Sequence, residues 1–173
     1  MTFIDIVKNR YSVRDYKQTP IEKEKLSQIL EVVRWAPSAC NNQPCYCIVI
    51  SDNAGKQSLR PAYNRDWFVN APIIIAVCVD FTSAWRRSDG VSYGKIDAAI
   101  VMDHLTLAAT EIGLGTCWIG AFNADVAKKA LSLPENVEPV AFTPLGYPKQ
   151  EMPIRKRKPL EEMVLWESFK KKK

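Results

Sequence analysis

Arginine, serine and arginine alternate at positions 10, 12 and 14 of the stretch NRYSVRDY (9–16). On an extended chain, side chains two apart point the same way, so Arg10, Ser12 and Arg14 would share one face. On a helix, Arg10 and Arg14 would lie one turn apart. Either geometry makes a small cationic patch around a hydroxyl. Its chemistry would be anion capture, because a guanidinium fork matches the oxygens of phosphate or carboxylate. The plainer reading is solvated basic surface, which is common.

A second constellation follows in APSACNNQP (36–44). Pro37 and Pro44 bracket Ser38, Asn41, Asn42 and Gln43. Such residues favour turns for local reasons alone. As a site they would form a stiff array of amide donors and acceptors at a sheet edge, where ligands of α/β proteins often bind. That array would suit a flat heterocycle with alternating N–H and C=O groups, such as a uracil-like or flavin pyrimidine ring.

The usual catalytic machinery is missing. No GxGxxG, GxxxxGK[ST] or GxSxG is present. The one GLG (113–115) reads as the glycine C-cap of a preceding helix. The single histidine, His104, lies in an apolar helical stretch, so a triad or a His-rich metal site is not expected. Chemistry, if there is any, would come from a cofactor. The five cysteines are odd in number and contain no CxxC pair. They read as reduced thiols of a cytoplasmic protein's core.

The 173 residues, 47% of them apolar, suffice for one domain with a substantial core. The longest apolar run, 71–79, is too short for a membrane span, and the N-terminal residues do not read as a signal peptide. The net charge of +5 lies after residue 148, with nine basic against four acidic residues; the body balances. The excess sits in RKRK (155–158) and KKKK (170–173). A basic tail could bind nucleic acid, but the neutral body offers no matching surface.

These groups need a frame. TPIEKEKLSQILEVVRWAP (19–37) reads as a helix with Thr19 as N-cap, Pro20 at N1, Glu22 completing a capping box, and an apolar face of Leu26, Ile29, Leu30 and Val33. CYCIVI (45–50) and PIIIAVCV (72–79) read as buried strands, the second central in its sheet. Residues 92–113 form a long helix, apolar on most sides. A strand end running into a loop (116–122), a helix (124–133) and a last strand (138–148) follow. The order predicts an α/β or α+β sandwich, helices covering a sheet.

Taken in order, RYSVRDY, the capped helix, APSACNNQPCYCIVI, NAPIIIAVCVD, the alanine-rich helix ending GLGTCWIGAF, LPENVEPVAFTPLGYP and RKRKPLEEMVLWESF resemble the FMN-dependent nitroreductase family over almost the whole chain. The resemblance implies an α+β fold with a mostly antiparallel sheet flanked by helices. It implies one FMN-binding domain over 1–173, with 149–173 as a basic extension reaching a partner subunit. The Arg10, Tyr11 and Ser12 segment would hold the FMN phosphate, and Arg14 would reach the pyrimidine side of the flavin. Arg155 and Arg157 match a late basic pair near the phosphate. Pro37, Ser38 and Ala39 match a segment that contacts the flavin across the dimer interface, and Asn41 matches the motif asparagine. Asn64 lies where some members place an amide on the isoalloxazine. Gly120 and Ala121 match the loop whose backbone faces flavin N5; some members carry a Glu there, and this chain reads Ile-Gly-Ala.

The implied activity is that of an FMN-dependent NAD(P)H oxidoreductase. It would transfer hydride through flavin N5 in ping-pong fashion to nitroaromatic or quinone-like acceptors. The implied assembly is a homodimer with FMN at the interface, with no nucleic acid or membrane partner and no metal. Residues 81–90 are a lid candidate or a plain loop. Other readings are another flavin reaction on the same scaffold, dehalogenation or flavin fragmentation, and a non-catalytic flavin- or nucleic-acid-binding protein.

Overall fold

The long apolar run becomes β2 (Ile73–Asp80), buried along nearly its whole length, with Ile74 through Val79 fully shielded. A strand covered on both faces needs no polar alternation, which is why the run is continuous. The computed structural model describes residues 1–169, and the KKKK segment lies outside them. β2 pairs antiparallel with β1 (Cys45–Ile50) on one side and with β4 (Val137–Gly146) on the other. A two-residue strand, β3 (Gly115–Thr116), completes the order β1-β2-β4-β3.

Helices cover both faces. On one face Ile74, Ala76, Cys78 and Phe142 pack with Leu59 and Phe68, from the region of α3 (Asn53–Ser58) and α4 (Asp66–Val69). Ala127 of α6 (Ala124–Ala130) joins them. On the other face Ile73, Ile75 and Leu145 meet Ile29 of α2 (Lys23–Arg34) and Leu105 of α5 (Gly94–Glu111). The expected α+β sandwich is found, with an entirely antiparallel sheet. α1 (Phe3–Asn9) and α7 (Leu160–Met163) lie at the two ends of the chain.

The glycine cap of α5 forms as expected. Gly113 has φ of 79°, and Leu114 N–H reaches Ala109 O at 2.8 Å. The start of α2 differs from expectation. The helix begins at Lys23 with Glu22 as N-cap, and no side chain caps it. The Glu22 carboxylate instead accepts from Tyr147 Oη at 2.6 Å, and Lys25 donates to the same hydroxyl at 2.6 Å. A tertiary partner has outbid the local box.

Residues 81–92 fold into a tied hairpin. Arg86 bridges Ser92, Trp85 packs edge-on against Tyr93 at 4.9 Å, and Arg87 pairs with Asp89. Asp80 anchors its base, accepting from Thr82 Oγ1 at 2.6 Å, Thr82 N at 2.8 Å and Asn136 Nδ2 at 2.9 Å. These bonds, that of Thr82 foremost, hold the Asp80 carboxyl down to about 2. A depressed carboxyl stabilises the fold above its ordinary range, and the contribution fades as pH falls from about 4 toward 2. Asp80→Ala should therefore lower the melting temperature at neutral pH and lower it less at pH 3. An equal loss at both pH values in thermal melts would contradict the charge-dependent anchor.

Much apolar surface stays open on the single chain. Phe3 and Ile4 of α1 and Ile96 of α5 are exposed, as are Leu160, Trp166 and Phe169 after the sheet, with Trp166 at 79%. Among the described residues the end of the tail leaves these apolar side chains open. Among the described residues no helix is long and apolar enough to cross a membrane.

Candidate flavin site

Arg10 is the C-cap of α1, and its extended backbone turns the chain out of the helix. The next residues run beside β3: Ser12 bridges Thr116, and Val13 N–H donates to Thr116 O at 2.8 Å. The segment is thus extended, and alternation separates buried Val13 from Arg10, Ser12 and Arg14. All three act on one group, the Cys117 thiol. Burial raises its pKa, against downward pulls from Arg14, a Ser12 hydrogen bond and Arg10.

The segment is fastened from the far end of the chain. Tyr11 Oη donates to Gln150 O at 2.8 Å, and Arg14 N–H donates to Gln150 Oε1 at 3.0 Å. Lys149 N–H reaches Asp15 O at 3.0 Å. This lacing follows directly from β4 and carries the tail back to α1. Arg155 then donates to the carbonyls of Lys8 and Arg10. Its guanidinium therefore closes the end of α1, an engagement the sequence did not suggest. Burial first, and then the nearby Arg157 and Arg10, depress its pKa. Gln150 was not anticipated either; a lone glutamine after a strand carries no signal.

The result is a cleft of about 670 Å³ where α1, α5 and the tail meet, lined by Lys8, Arg10, Arg155 and Arg157 with Asp103 as the one carboxylate. Four cations against one anion attract a multiply charged anion. Arg14 lies over the Trp67 ring at 6.0 Å, which draws the 64–67 segment toward it. Asn64 is exposed, and its side-chain oxygen accepts from Arg60 at 3.2 Å. Gly120 and Ala121 sit exposed in the loop between β3 and α6. Ile119 pins that loop to Phe142 through two hydrogen bonds, and Asn123 caps α6 beyond it. Gly120 has neither a left-handed φ nor any neighbour that a Cβ would touch within 4 Å. Among the described residues nothing fills the space in front of Gly120, so its backbone lies open.

The 37–44 loop is built differently from the expected four-residue array. Gln43 N–H donates to Ser38 Oγ at 2.8 Å, Gln43 Nε2 to Asn41 O at 3.2 Å, and Asn42 Nδ2 to Ser83 O at 3.0 Å. Asn42 and Gln43 are engaged in shaping the loop, and the exposed Asn41 carboxamide is left for a ligand. Cys40, Asn41 and Gln43 all have φ near +50°. Three left-handed non-glycine residues in four positions store strain of the kind found at binding loops.

Pro37, Ser38, Ala39 and Asn41 are not beside the cationic cleft. Their loop meets α5 at Asp97, whereas the cleft meets it at Asp103 and Leu107. At 1.5 Å per residue the two are about 9–15 Å apart along the helix. A single chain brings Arg10, Ser12, Arg14, Arg155 and Arg157 together but leaves the 37–41 loop at a second place.

Burial pushes the thiols of Cys45 and Cys78 up to about 12 and that of Cys47 to about 11, so they stay protonated. Cys40, expected in the core, is exposed; its left-handed turn holds it outward. Among the described residues no group of acidic, cysteine or histidine side chains could hold a metal ion. The donor set fits FMN: guanidinium groups for a terminal phosphate, a bare backbone at Gly120 for a ring, and a free carboxamide at Asn41.

Known proteins resemble this chain over most of its length. A family model described as the nitroreductase family matches residues 7–63 and 54–147. An FMN reductase [NAD(P)H] of Bacillus subtilis (strain 168) is 30% identical over 175 residues, covering 91% of this chain and 70% of that protein. The crystal structure of a nitroreductase family protein from Clostridium difficile 630 is 39% identical, covers 97% of this chain and 99% of its own, and has a TM-score of 0.91. The NADPH:FMN oxidoreductase of Vibrio harveyi, 22% identical, shares the fold with a TM-score of 0.89 over 99% of this chain and 79% of its own. The family pattern runs from α1 through the last strand on a backbone that superposes almost end to end, and the chain belongs to the nitroreductase family.

Proposed function

We propose that this protein is an FMN-dependent NAD(P)H oxidoreductase that passes electrons to nitroaromatic or quinone-like acceptors, as a homodimer with two flavin sites. The observation that carries the reading is the convergence of Arg10, Arg155 and Arg157 on one cleft, reached from opposite ends of the chain. It is supported by the Bacillus subtilis relative, named an FMN reductase [NAD(P)H].

When bound, FMN would supply the redox chemistry between NAD(P)H and the acceptor. Arg10 and Arg157 hold the terminal phosphate in the cleft, and Arg155 fixes the backbone from which Arg10 projects. Tyr11, tied to Gln150, keeps the segment extended. Ser12 would join Arg10 at the phosphate, and Arg14 would reach the pyrimidine edge, where a guanidinium stabilises negative charge. Gly120 and Ala121 present bare backbone to the ring. Pro37, Ser38, Ala39 and Asn41 would complete the site of the other subunit, and Asn64 would border the ring through its amide. The chain acts as one domain, 149–173 being the arm that reaches the partner. Its unpaired cysteines suit a reducing compartment, the cytoplasm.

The test is to release the bound flavin by heat and identify it by chromatography. FMN is the expected product. Recovery of FAD, or no flavin even after reconstitution, would overturn the reading.

A further inference from the structure

Among the described residues Asp97 is the most deeply buried charged one, only 1% exposed, in the first turn of α5. Its Oδ1 accepts from Ala39 N–H at 3.0 Å. Its Oδ2 is buried with no partner. It lines a cavity of about 270 Å³ between α2, α5 and β1, together with Pro37, Ser38, Gln43 and Cys45. A buried carboxylate with one idle oxygen is costly, and the dipole of the α5 N-terminus offsets only part of that cost. Among the described residues the one group its carboxylate binds is the backbone at the head of the strained turn formed by Ala39–Asn41.

We infer that Asp97 is a positioning residue for the flavin site: through Ala39 N–H it holds the 37–43 loop in its left-handed form, so that Asn41 points away from its own chain. The inference rests on the reading that this loop completes the other subunit's FMN site. The other bonds of the loop, Ser38 with Gln43 and Gln43 with Asn41, are internal to it. They fix its shape but not its attachment. Attachment comes from Asp97 on α5 and from Asn42 on Ser83.

The contact can be removed from either side. Asp97→Ala deletes the acceptor and Asp97→Asn retains one. Ala39→Pro deletes the donor without a clash of conformation. Ala39 is the first residue of its turn, where proline fits, and Ser38 has the φ of −135° and ψ of 158° that a residue before proline prefers. On the full-length chain, hydrogen exchange of the 38–43 amides with and without FMN is measured alongside FMN affinity and the visible spectrum of the bound flavin. Asp97→Ala and Ala39→Pro are each expected to speed loop exchange and to weaken FMN binding about tenfold. Both should change the flavin band, the double variant should be no worse than either single one, and Asp97→Asn should be near wild type. A melting temperature that falls while exchange in the loop, affinity and spectrum hold would overturn the inference. So would additive effects of the two substitutions. A wild-type protein that takes no FMN would defeat the functional reading instead, and the exchange measurement would still decide the role of Asp97.

Discussion

Replacing Arg10 with alanine is expected to weaken FMN binding by about 1.5–3 kcal/mol, the range for hydrogen bonds to a charged group. That is roughly a tenfold to hundredfold loss of affinity. Arg10 lines the cationic cleft, and its own carbonyl is held by Arg155. Its position is therefore set before a ligand arrives. Arg157→Ala should weaken binding similarly, because among the described residues the Arg157 guanidinium makes only one short-range bond, to Lys156 O at 3.0 Å. Arg155→Lys should cost less affinity than Arg10→Ala, since a single ammonium can still reach one of the two carbonyls. Titration of flavin-free protein with FMN gives all three values. An unchanged affinity in Arg10→Ala would contradict the phosphate role.

Ile96→Glu is expected to produce a monomer that no longer retains flavin. Ile96 is 47% exposed on a single chain, on a helix whose neighbouring Ile100 and Leu107 are only half covered. The substitution leaves the fold of one chain untouched, because surface changes of this kind are nearly neutral. In a twofold dimer it buries an unpaired charge from each copy, at about 3 kcal/mol or more apiece. The 37–41 loop and the cationic cleft are separated on one chain, so a shared site is lost together with the partner. Sedimentation equilibrium of wild type and variant, with and without FMN, measures the outcome. A flavin-loaded wild-type monomer would refute the shared site.

The elements were legible where burial alone decides them. β1 occupies 45–50 as read from the sequence, and β2 and α5 lie within two residues of their expected ends. An apolar run buried on both faces has no alternative conformation that shields it as well. The start of α2 was misread because Glu22 has a partner 125 residues away in Tyr147. The polar loop was overread for the opposite reason. Asn42 and Gln43 bond their own neighbourhood, as short-range side-chain contacts compete with any ligand. Arg10, Ser12 and Arg14 announced themselves by type and spacing. Gln150 and Asp97 did not, because their importance lies in what they touch and neither belongs to a recognisable pattern.

The most direct measurement is anaerobic mixing of the FMN-loaded protein with NADH or NADPH while the visible absorption is followed. Rapid bleaching by at least one of them, with colour restored on adding a quinone, is the expected result. A flavin band that neither nicotinamide bleaches would contradict the proposed oxidoreductase and leave a protein that only binds the flavin.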